Sequence, residues 1–203
     1  LRLLCAMILF SIVNIGLSAW SLAFYQRTYG WGPEVIGPVM GMVSLVCSLL
    51  GLFTGARLTE WFGRRNDDAN LRIMFLAQGL ALPLHLAAPL MPSPWLALGL
   101  NAIASIVGVM GGPGYYAAIQ LTTPNEMRGQ VAMLYAAGMT TIGGSLGPML
   151  VGLLTDYAAG SEGGLRYVLV AINLIAVPPG LYLIWKAMGP YARLYRQNMA
   201  QGA

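Results

Sequence analysis

The sequence predicts an all-α membrane protein with six transmembrane helices. Of its 203 residues, 57% are hydrophobic and only 9% are charged, whereas soluble domains carry roughly 25% charged residues. The few charges bracket apolar runs of spanning length, because crossing about 30 Å of hydrocarbon takes ~20 apolar helical residues. The basic residues also gather at alternate ends of those runs.

The first span is set by 24 uncharged residues between Arg2 and Arg27, and the second by 22 between Glu34 and Arg57. Between Arg72 and Glu126 lie 53, enough for a third and a fourth span. Pro89, Pro92 and Pro94 mark the turn between them, since proline ends helices and restricts the residue before it. A fifth span fits the 27 residues between Arg128 and Asp156, and a sixth the 19 between Arg166 and Lys186. The expected spans are 3–26, 35–57, 72–91, 94–120, 129–155 and 166–187. Loops are expected at 58–71 and 121–128, with a tail at 188–203.

Alternating the loops puts Arg2, Arg57, Arg64, Arg65, Arg72, Arg128, Lys186, Arg193 and Arg196 on one side, and only Arg27 and Arg166 on the other. Nine against two is a positive-inside bias, so both ends of the chain are expected in the cytoplasm, in a cell inner or plasma membrane. The basic residues then face anionic lipid, and no nucleic-acid partner is needed to explain a pI near 9.3. The chain opens LRLLCAMILF, a run too long for a cleaved signal peptide, and reads as part of a longer polypeptide.

Several helix faces carry information. Asn14, Ser18, Ser21 and Tyr25 recur at helical spacing in the first span. In the fourth span Asn101, Ser105, Gly108 and Gly112 repeat the pattern, followed by Tyr115 and Tyr116. Such stripes face another helix or a water-filled cavity. The segment GGPGYYAAIQ (111–120), with three glycines and a proline, is expected to be a poor regular helix, and broken helices mark transport sites. In the second span Gly41, Ser44, Ser48, Gly51 and Gly55 form a small-residue seam for close helix approach. In the fifth, Gly144, Gly147, Pro148 and Gly152 form another, on a helix expected to be bent.

His85, the sole histidine, has no carboxylate within a helical turn. It reads as a packed neutral side chain, with proton coupling as the alternative. Cys5 and Cys47 read as small buried hydrophobes with no disulfide. Asp67 and Asp68 are expected to cap the third helix. Thr123 is expected at the N-cap of the fifth helix, with Pro124 at its first position and Glu126 completing a capping box.

Gly143 to Gly147 matches G-x-S-x-G around Ser145, but that motif needs a strand-to-helix elbow and this run is helical. No metal or phosphate-binding motif is present. No enzyme, cofactor or metal site is expected.

The stretch from Gly55 through Leu58, Glu60, Trp61 and Gly63 to Arg64 and Arg65 resembles the G-x-x-L-a-D-r-x-G-R-R loop of the major facilitator superfamily. Glu60 stands where that pattern has Asp, and Trp61 where it usually has a basic residue. PNEMRG followed by GGSLGPMLVGLLTD resembles the loop and eleventh helix of the same superfamily. The chain is thus similar to the C-terminal half of such a transporter, helices seven to twelve, built as two inverted three-helix repeats. Further fragments resemble spinster-like transporters, which are associated with sphingolipids and lysophospholipids: WSLAFYQRTY (20–29), GPVMG, RNDDANLR, GYYAAIQLTTPNEMRGQ, GPMLVGLLTDY, and Leu165, Arg166 and Tyr167 opening the last helix.

The resemblance implies transport by alternating access, with the first and fourth spans lining a central cavity. Asn14, Ser18, Ser21, Tyr25, Asn101, Ser105, Tyr115 and Tyr116 become the substrate-contact candidates, and tyrosines suit an amphipathic or lipid-like solute. Gly55, Glu60, Gly63, Arg64, Arg65 and Arg128 become candidates for a cytoplasmic latch against an N-terminal six-helix half, on the same chain or a partner. Two other readings stand: a proton-linked carrier of organic anions or sugar acids, and a membrane subunit without transport of its own.

Overall fold

The computed structural model describes residues 2–66, 68–123, 125–158 and 164–201. Helix α1 spans Arg2–Tyr29 and α2 spans Pro33–Gly63. Helix α3 covers Ala69–Ala87 and closes in a 3-10 turn, Ala88–Leu90. The fourth crossing is α4 (Pro94–Val109) followed by α5 (Gly112–Thr122). The fifth joins α6 (Arg128–Ala137) to α7 (Gly144–Ala158) through a π-helical stretch, Gly138–Gly143. Helix α8 runs Leu165–Gln201. Among the described residues there is no strand, and six helical stretches are long and apolar enough to cross a bilayer. The chain is an integral, multi-pass membrane protein.

Several boundaries differ from those expected. α2 does not stop at Arg57 but continues to Gly63, so the expected loop 58–71 contracts to a short turn before Ala69. A charge ends the crossing of lipid, not the backbone ladder, and residues 58–62 contain no Gly or Pro. The expected tail is likewise helical: α8 passes through Pro178, Pro179 and Pro190. Past Pro190, Tyr191 is buried and its hydroxyl accepts a 2.8 Å hydrogen bond from Asn70 Nδ2, docking this end on α3.

The expected caps are not formed. Asp68 stands at the N-cap of α3, yet its carboxylate pairs with Arg72 Nε at 2.7 Å and makes no bond to the backbone. Thr123 Oγ1 donates backwards to the Ile119 carbonyl at 2.7 Å. The next helix starts only at Arg128, after a 3-10 turn, Asn125–Met127, that contains Glu126. Asp67 and Pro124 lie outside the described residues.

α1 packs on α7 and α8, α3 on α4 and α8, and α2 on α4 and α5. Two apolar cores result. One, towards the Arg2 end, joins Phe10, Leu71, Met74, Tyr115, Ile184 and Tyr191. The other, towards Tyr29, joins Phe24, Tyr25, Ile36, Leu98, Val151 and Leu169. The crossing of α1 and α7 is glycine on glycine: a Cβ on Gly147 would lie 2.5 Å from the Ile12 carbonyl oxygen and 2.8 Å from Gly16 N. Small residues permit such backbone approach in lipid, where burial of apolar surface drives little association.

Gly152 joins this seam beside Trp20, whereas Gly144 faces open space. Gly144 is therefore not part of the packing motif. One residue is ~100° of helical rotation, and the facing position is Gly143, packed on Ser11. Cys47 is buried as expected, but Cys5 is exposed.

Candidate substrate cavity

α1, α2, α3 and α4, with Leu169 of α8, line an open cavity of about 360 Å³. Six of the eight expected contact residues line it: Asn14, Ser18, Ser21, Tyr25, Asn101 and Ser105. The spacing explains the convergence, since positions four, seven and eleven residues apart share one helical face. Part of the polar capacity is satisfied locally: Asn14 Nδ2 donates to the Phe10 carbonyl at 2.8 Å, and Ser21 Oγ to that of Ser18 at 2.7 Å. The Asn14 amide oxygen remains as an acceptor.

Tyr25 is only 2% exposed and closes one end of the void in an aromatic cluster. Phe24 and Tyr29 meet it at centroid distances of 5.2 and 5.7 Å, and Trp31 stacks at 6.0 Å. Tyr29 donates a 2.6 Å hydrogen bond to the Met91 carbonyl, fixing α1 to the turn after α3.

Tyr115 and Tyr116 do not join this cavity. Tyr115 is buried in the lower core against Tyr135, and Tyr116 is 63% exposed. Both line a separate crevice between α5 and α6 of about 40 Å³. Tyr115 lies ten residues beyond Ser105, ~15 Å further along the crossing, where α5 packs on α3 and α6. α5 itself is regular, contrary to expectation, because Pro113 falls in its first turn where a missing N–H is harmless. The glycines serve contact with α3: a Cβ on Gly114 would sit 2.7 Å from the Asn70 carbonyl oxygen.

The small-residue stripe of α2 divides in two. Gly51 and Gly55 pack on Val109 and Met110, as a seam would. Gly41 and Ser44 instead line the cavity. His85, read from sequence as a packed side chain, also lines it. The absence of an acidic neighbour hid this role, which depends on how α3 faces α1 and α4.

At the Arg-rich end, Glu60, Gly63, Arg64 and Arg65 occupy the exposed tip of α2 and the turn that follows. Trp61 carries Arg65 over its ring at 5.0 Å, so an aromatic face rather than a charge neighbours that guanidinium. Arg128 is exposed and donates through Nε to the Thr123 carbonyl at 3.2 Å. Ser145 lies within α7.

The six-crossing bundle thus turns two polar stripes, on α1 and α4, onto one cavity. The profile of the Major Facilitator Superfamily matches residues 1–187, and the chain belongs to that superfamily. Its fold is similar to that of a bacterial homologue of the human lysosomal transporter Spinster. The inward-facing, unoccupied structure gives a TM-score of 0.71 at 18% identity, covering 98% of this chain and 48% of that one. The inward-facing, occupied structure of such a homologue gives 0.61 at the same identity and coverage. The chain thus spans about half the length of the solved structures it matches. Among curated protein sequences there is no match.

Proposed function

We propose that this chain is one half of a spinster-like secondary transporter, moving an amphipathic or lipid-like solute across the bilayer by alternating access. The observation that carries this reading is the cavity. Two polar stripes, Asn14/Ser18/Ser21 and Asn101/Ser105, face one void whose wall holds no Asp, Glu, Lys or Arg. Hydroxyl, amide and aromatic groups suit a solute with both apolar and polar parts.

In this reading the Arg-rich end is cytoplasmic, consistent with the positive-inside bias. A second six-helix unit, on the same or another chain, closes the cavity. The tip of α2, with Glu60, Arg64 and Arg65, latches against that unit in one of the two access states, with Gly63 ending the helix and Arg128 bracing the neighbouring turn. Exposure of these side chains supports availability to such a partner.

Cysteine accessibility tests the cavity. In full-length protein lacking Cys5 and Cys47, Ser18→Cys and Ser105→Cys should react with a water-soluble thiol reagent, and a bound amphiphile should slow both. Protection of both sites without ligand would overturn the reading.

A further inference from the structure

A second open cavity, of about 480 Å³, adjoins the first towards the Arg-rich end, and the two share Asn14, Ser44, His85 and Ser105. Its wall reaches back to the third crossing at Gln78, close to the middle of the 22 helical residues Ala69–Leu90.

Gln78 faces into the bundle. Met74, Gln78, Ala81 and His85 recur at helical spacing on one face of α3, while exposed Leu76 and Leu80 hold the opposite face. Met74 and Ala81 pack on α4: Met74 Cα lies 3.2 Å from where a Cβ on Gly111 would stand, and the Ala81 methyl 4.0 Å from one on Gly108. At this level α4 carries Gly108, Gly111 and Gly112, all three on the cavity wall. A Cβ on Gly112 would meet nothing within 4 Å, so that glycine leaves open space and not a packed seam. Bare backbone stands where side chains would screen α3, and Gln78 reaches the cavity through the gap.

The Gln78 carboxamide is also unpaired: among the described residues it makes no hydrogen bond. Other polar groups on the same wall are satisfied within their own helices. Ser11 donates to the Ile8 carbonyl, Asn14 to that of Phe10 and Thr140 to that of Ala136. His85 Nδ1 and Asn173 Oδ1 lack partners too, but they are shut in, whereas the Gln78 amide atoms keep accessible surface. An amide without a partner at mid-membrane is costly, and here a ligand can reach it.

We propose that Gln78 is a substrate-contact residue whose carboxamide recognises a hydroxyl of the solute. A hydroxyl can accept from Nε2 and donate to Oε1 at once, closing a ring of two hydrogen bonds. An ether or ester oxygen only accepts, and so satisfies one side of the amide. The inference rests on the amphiphile reading of the cavity and deepens it, by naming the polar group that the third crossing reads.

The test uses full-length protein in lipid nanodiscs and two probes, monopalmitoyl glycerol and its dimethyl ether, whose capped oxygens accept but cannot donate. Wild type should bind the hydroxylated probe about tenfold more tightly, the scale of one well-made hydrogen bond. Gln78→Met, close in length and lacking the amide, should lose most of that preference. In protein without Cys5 and Cys47, Gln78→Cys should react with a water-soluble thiol reagent, and monopalmitoyl glycerol should slow the reaction. This second variant reads the position should Gln78→Met misassemble. A Gln78→Cys that stays unreactive while Ser105→Cys reacts overturns the role of Gln78 and leaves the cavity standing. So does a Gln78→Met that keeps the full preference, or a wild type that binds both probes equally. A wild type that binds neither probe overturns the amphiphile reading, and this inference with it.

Discussion

The Trp20 indole nitrogen donates a hydrogen bond to the Pro148 carbonyl at 3.0 Å, tying α1 to α7. It does so beside the position where proline withholds a backbone donor from the Gly144 carbonyl, one turn earlier. Trp20→Phe keeps an aromatic ring and loses this bond. It should cost about 1 kcal/mol and lower the melting temperature of detergent-purified protein by a few degrees, roughly 2–4 °C.

Gly147 and Gly144 make a matched pair. A side chain at Gly147 meets the Ile12 carbonyl and the Gly16 backbone, neither of which can swing aside. Gly147→Ala should therefore destabilise by about 1–3 kcal/mol, the usual range for overpacking. Gly144→Ala meets nothing within 4 Å and should be neutral or slightly stabilising. Thermal unfolding of both variants checks the seam, and equal losses would refute it.

The division between cavity and crevice gives a third comparison. Asn101→Ala, at the cavity wall, should weaken binding of an amphiphile severalfold, the scale of one lost hydrogen bond. Tyr116→Ala, at the exposed face of α5, should leave affinity unchanged. Titration of full-length protein with a fluorescent monoacyl lipid distinguishes them.

The latch is tested by Glu60→Gln. If Glu60 engages the other half of the transporter, removing its charge should shift the balance of inward- and outward-facing states. Spin-label distances across the two ends of the cavity report that balance. Identical distance distributions for wild type and variant would reduce Glu60 to a helix-end residue.

Crossings and their order were legible in the sequence because charge is scarce and each charged group marks an end of lipid. The register of Asn14, Ser18 and Ser21 was legible too, since a single unbroken helix carries them all. Tyr115 and Tyr116 fall outside the cavity because a stripe gives direction but not depth: they lie ten residues and more beyond Ser105, where α5 packs on α3 and α6. Boundaries at Arg57 and beyond Lys186 were misread for a related reason. Charge reports where lipid ends, while the end of a helix is decided by backbone geometry and by contacts such as that of Asn70 with Tyr191. His85 lacked any local signal, for its place on the cavity wall is created by packing between helices distant in sequence.

The π-helical stretch Gly138–Gly143 separates two unlike halves of the fifth crossing. α7 is clamped to α1 at Gly147, whereas none of the ten residues of α6 is fully buried. α6, about 15 Å long, meets the core only through half-buried Val131 and Tyr135 and joins α7 at the π-helical stretch. A kink of ~20° at that stretch, the scale at which helices visibly bend, carries the Arg128 end through about 5 Å. Such a bend would have to part Val131 and Tyr135 from the core beneath them, while the glycine seam at Gly147 stays closed.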